Sequence, residues 1–274
     1  MGEIEFDDEM SRMGLDPHAQ FLDDMREHIR YEFQPIVHAH TGRVFGLEAL
    51  MRGHDKLGLE TPIQFLDNLY YRGLLLDADL MLRRVAINAF ATMERFETCK
   101  LFLNVDGRTL ESDGFLLAET ADIAFRAGID VNRICLELSE TSACPLETDV
   151  EYFRTIARSF GFEFAVDDFG QGYSQLKSLY DYEPDILKID RFFVKDIAHD
   201  TKKQLFVRTV VELAHAMGML VVGEGIETQE ELVACRKIGC DLLQGFYIAR
   251  PKPIPVVPIH VYDLEAPGSE KDAA

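Results

Sequence analysis

From about residue 100, short apolar runs rich in Val, Ile, Leu and Phe alternate with longer amphipathic stretches. In order, the apolar runs are LFLNVD, ICLELSE, FEFAVDDFG, ILKID, MLVVGEGIE and DLLQGFYIARP. Several of the amphipathic stretches stop at glycines, which commonly end helices; these are Gly128, Gly161, Gly218 and Gly239. Short apolar runs that alternate with helices predict parallel strands covered by helices.

One of these helices is predicted over TKKQLFVRTVVELAHAMG, which ends at Gly218. Apolar residues recur there at the three- and four-residue spacing that places them on one face of a helix. The predicted buried face consists of Leu205, Phe206, Thr209, Val210, Leu213, Ala214 and Met217.

At least seven strand-like runs fit in the chain, counted from VFGLEALMR, and YEFQPIVHAH precedes them. Eight strands alternating with helices favour an α/β fold, a closed (β/α)8 barrel of the TIM type. An open doubly wound sheet is the alternative, although no glycine-rich dinucleotide loop follows any of the runs. We place one domain at 26–258 of the 274 residues, between an acidic N-terminal segment (1–25) and a flexible C-terminal tail (259–274).

Composition restricts the class of partner. The chain has 28 basic and 48 acidic residues, and the net charge of −20 opposes binding to nucleic-acid polymers and to anionic membranes. No apolar run approaches the roughly 20 residues that span a bilayer, and the acidic N-terminus lacks the features of a signal peptide. The five cysteines show no CxxC spacing and are interpreted as reduced thiols. Together these features predict a cytoplasmic protein.

Polar residues that ligate metals or handle protons stand where the apolar runs end. They are Glu48, Arg52, Asn104, Asp106, Glu137, Glu140, Asp167, Asp168, Lys188, Asp190, Glu224, Glu227 and Gln244. The C-terminal strand ends of a parallel barrel converge on one mouth, where the active sites of that fold lie. So many carboxylates crowded together would repel one another unless cations neutralised them.

The ligand chemistry favours Mg²⁺ or Mn²⁺ over Zn²⁺, because the acids and amides supply hard oxygen ligands. None of the eight histidines falls at a matching strand end. The adjacent Asp167 and Asp168 cannot both point fully into one small pocket, but they can address two cations about 3.5–4 Å apart. In that arrangement Asp167 bridges the two ions and Asp168 holds the second.

Each of these residues alone has a simpler structural interpretation. A lone Asp-Asp is commonly a helix N-cap beside a solvated neighbour, Lys188 alone would be a buried counter-ion, and Asn104 would cap a loop. Their coincidence at successive strand ends argues against these separate interpretations. Burying that many unpaired charges for structure alone would cost several kcal/mol each.

Eight motifs resemble those of EAL-domain cyclic di-GMP phosphodiesterases, in the order of that family. They are FQPIV, TGRVFGLEALMR, LNVD, CLELSET, AVDDFGQGYSQL, LKIDRFFV, VVGEGIET and GCDLLQGFYIARP, between Tyr31 and Pro253. The resemblance implies a modified (β/α)8 barrel whose first strand is antiparallel. It also implies hydrolysis of cyclic di-GMP to linear 5′-pGpG with two Mg²⁺ or Mn²⁺ ions, and inhibition by Ca²⁺.

The resemblance also implies roles for individual residues. The first metal would be held by Glu48, Asn104, Glu137 and Asp167, and the second by Asp167, Asp168 and Glu224. Lys188 would bind and help activate the attacking water, with Glu224 as a candidate general base. Arg52 would bind a phosphate of the substrate. The other residues that contact the substrate would be Leu50, Gln34, Gln244 and Pro251. Glu140, Asp190 and Glu227 would support the site and its loop from outside.

The chain departs from the family pattern at several positions. Gln171 and Gln175 replace the usual threonine and serine of the loop after Asp168, and Asp106 stands where serine is usual. These changes leave open a different class of function, a receptor or protein-interaction module that binds cyclic di-GMP without cutting it. Another metal-dependent barrel enzyme acting on a phosphate ester would fit the acids alone. A homodimer and an upstream sensory or regulatory domain or protein are the partners that the resemblance implies.

Overall fold

Eight strands close into a barrel in which each strand is hydrogen-bonded to the next along the chain. The structure, a computed structural model, describes residues 17–94, 96–139, 147–170, 175–253, 261–265 and 270–271. The barrel strands are β1 (Arg30–His38), β2 (Val44–Arg52), β3 (Lys100–Val105), β4 (Ile134–Ser139), β5 (Glu163–Phe169), β6 (Ile186–Ile189), β7 (Leu220–Gly223) and β8 (Leu242–Leu243). β1 is antiparallel to both β2 and β8, whereas the other neighbouring pairs are parallel. The predicted barrel with an antiparallel first strand is thereby confirmed.

Helices connect the strands and cover the barrel. They are α1 (Pro17–His28), α2 (Pro62–Tyr71), α3 (Leu75–Ala91), α4 (Asp113–Arg126), α5 (Glu147–Phe160), α6 (Gln175–Tyr182), α7 (Arg191–Val194), α8 (Thr201–Ala216) and α9 (Gln229–Ile238). A short ribbon of β9 (Val261–Tyr262) and β10 (Glu270–Lys271) lies outside the barrel. Across the described ranges, every helix is too short or too polar to traverse a bilayer.

Sequence chemistry determines where α9 begins and ends. The Thr228 hydroxyl accepts from the Glu231 amide, and the Glu231 carboxylate accepts from the Thr228 amide, which together form a capping box. At the other end, Gly239 adopts φ of 114°, a left-handed conformation that favours glycine. The predicted stop at Gly239 is therefore confirmed.

The barrel interior below the mouth is filled by one apolar residue from each of seven strands. This inner layer consists of Ile36, Phe102, Cys135, Ala165, Ile186, Val222 and Leu242. On β2 the corresponding position is Gly46, where an added Cβ would lie 2.4 Å from the Phe102 ring. Because side chains alternate along a strand, residues two positions closer to the mouth face the same interior.

The predicted buried face of α8 is wrong in part. The buried residues of this helix are Val207, Val210, Val211 and Ala214. Leu205 is 68% exposed, and Leu213 and Met217 are also exposed. Two stripes of α8 satisfy the helical spacing, and tertiary packing selects the valine-rich one against the barrel. The spacing identified the helix but not its orientation.

Candidate functional site

A single layer of polar residues lies directly above the apolar inner layer, with one residue from each strand or its C-terminal end. On the parallel strands each polar residue follows its apolar partner by two positions, and on the reversed β1 it precedes it. The polar layer consists of Gln34, Glu48, Asn104, Glu137, Asp167, Lys188, Glu224 and Gln244. The structure therefore brings together the predicted metal and proton-handling residues at one depth of the barrel.

Lys188 lies at the centre of this layer, and its side chain is 1% exposed. Its ammonium Nζ lies 2.7 Å from Glu137 Oε1, 2.9 Å from Glu224 Oε1, 3.0 Å from Asp167 Oδ1 and 3.5 Å from Glu48 Oε2. Burial alone lowers the pKa of Lys188, but the surrounding carboxylates outweigh burial and raise this pKa well above its ordinary value. The ammonium is therefore charged and links carboxylates from four strands or strand ends.

The acids form two groups of three that share Asp167. One group is Glu48, Glu137 and Asp167, the other is Asp167, Asp168 and Glu224, and within each group the oxygens lie within 4.8 Å of one another. Burial raises the pKa of Glu137 and of Glu224 well above the ordinary glutamate value, and neighbouring carboxylates raise both further, against a lowering by the Lys188 ammonium. Burial and then Asp167 raise the pKa of Asp168 to about 6, against a lowering by the Ser139 hydroxyl.

A bulge in β5 explains how two adjacent aspartates reach one site. Three residue steps from Val166 to Phe169 on β5 match two steps from Leu187 to Ile189 on β6, so β5 carries one extra residue. Asp168 adopts φ of 55°, in the left-handed region that non-glycine residues rarely enter. Such bulges re-aim side chains beside active sites. The Ser139 hydroxyl, 3.0 Å from Asp168 Oδ2, contacts the re-aimed carboxylate.

The residues of the two groups fit divalent cations that prefer oxygen ligands. Four carboxylates contact the single Lys188 ammonium, and Asp168 joins Asp167 and Glu224 in the second group. Glu137 is fully buried, and its Oε2 accepts no hydrogen bond from the described part of the chain. A buried carboxylate oxygen without a donor is costly unless a cation or a proton satisfies it. Oxygen donors alone match Mg²⁺ and Mn²⁺ rather than Zn²⁺.

A chain of amides holds Glu48 in place. Gln244 Nε2 donates to Glu48 Oε2 at 2.5 Å and lies 3.3 Å from Gln34 Oε1. Gln34 Nε2 donates in turn to the Ala249 carbonyl at 3.1 Å. Asn104 Nδ2 lies 3.4 Å from Glu48 Oε1, which leaves the amide oxygen of Asn104 as its candidate ligand atom.

Replacing Gln244 with leucine is expected to weaken Mn²⁺ binding by about 10- to 100-fold, the usual effect of losing a hydrogen bond that orients a ligand. The substitution keeps the volume but removes the donor to Glu48 Oε2. Calorimetric titration with Mn²⁺ measures the change. The matched control is Gln204→Leu on α8. The Gln204 amide donates to the Ile197 and Ala198 carbonyls, away from the polar layer, so this substitution should leave the affinity unchanged. Equal affinities in both variants would contradict a role for Gln244 in holding Glu48.

Three of the predicted substrate residues, Arg52, Leu50 and Pro251, lie outside the polar layer, to which Gln34 and Gln244 belong. Arg52, the last residue of β2, donates from Nε to Glu32 Oε2 at 2.8 Å and from NH1 to the Met51 carbonyl at 2.9 Å. Leu50 is half-buried on the same face of β2. Pro251 is half-buried and directly precedes Lys252, which exchanges two backbone hydrogen bonds with Phe33 of β1.

The described residues outside the polar layer have partners of their own. Asp190 caps α7 by accepting from the Phe192 amide, and Glu227 pairs with Arg191 at 2.6 Å. The carboxylate of Asp106 accepts from the backbone amide, Nε and NH2 of Arg108, so this extra acid is neutralised beside the site. Glu140 and Gln171 lie outside the described residues.

Sequence reasoning missed Ser139 and Glu32. Ser139 was detectable, because it stands two residues after Glu137 and therefore on the same face of β4. Glu32 stands two residues before Gln34 on the interior face of β1. It was missed because the antiparallel pairing that brings it to Arg52 is not visible as a motif.

A profile of the EAL domain matches residues 19–251. The chain belongs to the EAL domain family. A cyclic di-GMP phosphodiesterase of Pseudomonas aeruginosa is 33% identical over 221 residues, which are 80% of this chain and 38% of that protein. The oxygen sensor protein DosP of Escherichia coli is 28% identical over 84% of this chain. This EAL chain spans only 29% to 38% of the length of three curated relatives.

Solved structures of EAL proteins share the fold. BlrP1 of Klebsiella pneumoniae, in complex with manganese and cyclic di-GMP, matches with a TM-score of 0.74 and 28% identity, over 81% of this chain and 56% of that one. The same protein with calcium and cyclic di-GMP also gives 0.74. The EAL domain of Mycobacterium smegmatis DcpA matches with a TM-score of 0.66 and 28% identity, over 82% of this chain and 92% of that domain.

Proposed function

We propose that this EAL domain hydrolyses one phosphodiester bond of cyclic di-GMP, with two Mg²⁺ or Mn²⁺ ions, and releases linear 5′-pGpG. The observation that carries the proposal is the pair of acid groups that share Asp167 around the buried Lys188. Two-metal sites for phosphodiester hydrolysis place their ions about 3.5–4 Å apart, a separation that one shared carboxylate can bridge. The names of the Pseudomonas and Klebsiella relatives and their ligands support cyclic di-GMP as the substrate.

The metal ligands follow from the two groups. Glu48, Asn104, Glu137 and Asp167 would hold one ion, and Asp167, Asp168 and Glu224 the other. Bound cations would act as Lewis acids on the phosphoryl oxygens and would lower the pKa of coordinated water. Ca²⁺ should inhibit, because its longer bonds and looser geometry place the reacting groups poorly.

Side chains of the domain would handle the proton and the developing charge. Lys188 Nζ would donate to the oxygen of the attacking water and hold it in line with the phosphorus. Glu224 already contacts Lys188 through Oε1, so its Oε2 is the atom that would accept the proton. Arg52 would stabilise the charge on the nonbridging oxygens as the 3′-oxygen leaves.

The nucleotide would lie against the rim of the barrel. Leu50 and Pro251 offer half-buried apolar surface beside Arg52. Gln34 and Gln244 are buried in the polar layer, so their contact with the ligand would be at the floor of the site. The site and its loop would be supported from outside by Glu140, Asp190 and Glu227.

The proposed function is tested by measuring pGpG formed from cyclic di-GMP with Mg²⁺ or Mn²⁺, with Ca²⁺ as the inhibiting ion. Glu48→Ala should abolish product, since Glu48 belongs to one acid group and contacts Asn104, Gln244 and Lys188. Glu60→Ala removes an exposed glutamate from the loop after β2 and should retain full activity. Binding of cyclic di-GMP without turnover under either metal would contradict the enzyme and favour the receptor.

We also propose that the domain works in the cytoplasm as a homodimer under an upstream sensory or regulatory domain. The length of the relatives supports the additional domain, because this chain aligns with about a third of each. Exposed aromatic residues on consecutive helices, Phe115 of α4, Tyr152 of α5 and Tyr180 of α6, support a second copy as partner. Sedimentation velocity would test the dimer, and a monomer at micromolar concentration would contradict it.

A further inference from the structure

Two arginines face each other at the mouth, above the polar layer. In the β1–β2 pairing, Gln34 is opposite Glu48, Glu32 is opposite Leu50, and Arg30 is opposite Arg52. These positions share the interior face with Ile36 of the inner layer, because every second residue of a strand points the same way. The interior face of β1 and β2 therefore ends at the rim in a pair of directly opposed arginines.

Opposed like charges on one face of a sheet destabilise the pair unless an anion lies between them. Directly opposite residues have Cβ atoms about 5 Å apart, within reach of a common ligand. Glu32 is the diagonal neighbour of Arg52 and binds its Nε at 2.8 Å. Arg30 donates to the His28 carbonyl at 3.1 Å and forms no ion pair with any residue that the structure describes. The pair thus has one internal anion for two guanidinium groups.

We propose that Arg30 and Arg52 together hold one phosphate of the cyclic dinucleotide, and that Glu32 occupies this place until the ligand displaces it. The inference rests on the proposed substrate. It adds Arg30 as a binding residue and Glu32 as an internal competitor, beyond the single role of Arg52.

Glu32 has the features of a displaceable anion. Its side chain is 29% exposed, and Arg52 is its sole side-chain partner across the described residues. A residue that orients another needs fixed contacts of its own, and among the described side chains Glu32 contacts none besides Arg52. Arg52 is held independently, because its NH1 donates to the Met51 carbonyl. A phosphate beside Arg52 would face the negative charge of Glu32, so carboxylate and phosphate compete for the guanidinium.

The simpler interpretation is an ordinary cross-strand ion pair, with Arg30 as a solvated end of β1. Exposed ion pairs of that kind contribute little and have no effect on a ligand. The two interpretations predict different effects on ligand affinity. Competition predicts that removal of the Glu32 charge tightens ligand binding, whereas an inert surface pair predicts no change.

The affinity for cyclic di-GMP is measured by calorimetry with Ca²⁺, the ion present with that ligand in one BlrP1 structure. Glu32→Gln should tighten binding by about 3- to 10-fold, and Arg30→Gln should weaken it by a similar factor. Arg30→Lys keeps the positive charge but loses the paired donors of the guanidinium. Its affinity should fall between those of wild type and Arg30→Gln. With Mg²⁺, KM should change in the same directions.

Two control substitutions distinguish a specific effect of Arg30 and Glu32 from a general effect of net charge on binding. Glu60→Gln and Arg43→Gln remove the same charges from exposed residues, and Arg43 precedes β2 at the end of the barrel away from the mouth. Neither should change the affinity. In an Arg52→Ala background, Glu32→Gln should have no effect, because its action passes through Arg52.

The outcomes distinguish this inference from the proposed function. A wild-type chain that neither binds nor hydrolyses cyclic di-GMP rejects the proposed substrate and the phosphate site with it. Normal wild-type binding with unchanged affinity in Arg30→Gln and Glu32→Gln rejects the inference alone. Weaker binding in Glu32→Gln also rejects it, since Glu32 would then orient Arg52 rather than compete for it.

Discussion

Replacing Lys188 with methionine is expected to lower the unfolding free energy of the metal-free protein by about 3–5 kcal/mol, the range for removing one partner of a buried ion pair. The ammonium lies 2.7 to 3.5 Å from four carboxylates, and methionine would leave them facing one another without a cation. Proton uptake by Glu137 or Glu224 limits the loss. Urea denaturation in the presence of a chelator measures it.

Lys100→Met is the matched control for this substitution. Among the residues that the structure describes, Lys100 forms one ion pair, with Glu163 at 2.8 Å, and its side chain is 18% exposed. Its removal should cost about 1 kcal/mol or less. Mn²⁺ should restore more stability to Lys188→Met than to Lys100→Met, because the cation replaces the missing charge. Equal denaturation midpoints of the two metal-free variants would contradict the central role of Lys188.

Asp167→Asn is expected to remove both metal ions and to reduce turnover by about 10³-fold or more, which corresponds to the several kcal/mol that metal ions contribute. Asp167 is the single residue shared by the two acid groups, and it also contacts Lys188 at 3.0 Å. The stoichiometry of Mn²⁺ binding, read by calorimetry or electron paramagnetic resonance, is the decisive measurement.

Asp168→Asn and Glu48→Gln are the controls, since each belongs to one group alone. Each should retain one Mn²⁺ per chain while losing turnover. If Asp167→Asn bound one ion with wild-type affinity, Asp167 would not be the ligand that both ions share. That result would mean that the two groups operate independently.

The polar layer was largely predictable, because its pattern is local. In LFLNVD, ICLELSE, FEFAVDDFG and ILKID, the polar residue follows an inward apolar residue by two positions. Strand alternation then places Asn104, Glu137, Asp167 and Lys188 at one depth without knowledge of any long-range contact. The closed barrel followed from the number of such runs.

What the sequence did not reveal depends on contacts between distant segments. The bulge that turns Asp168 towards Asp167 and Glu224 is defined by the pairing of β5 with β6. Nothing in the amino-acid sequence of β5 indicates the extra residue. The Glu32–Arg52 contact requires the antiparallel register of β1. On α8 the spacing left two apolar stripes, and packing chose Val207 and Val211 over Leu205 and Leu213.

The reversed first strand determines at which end of the barrel the preceding helix arrives. In an all-parallel barrel the chain ahead of the first strand arrives at the end opposite the mouth. Here β1 starts at the mouth, opposite Arg52, so α1 reaches the barrel beside the rim of the mouth. The His28 carbonyl at its end packs so tightly on Gly53 that a Cβ there would lie 2.1 Å away. Because this contact leaves no space between the end of α1 and Gly53, a displacement of that helix end would move the residue that directly follows Arg52.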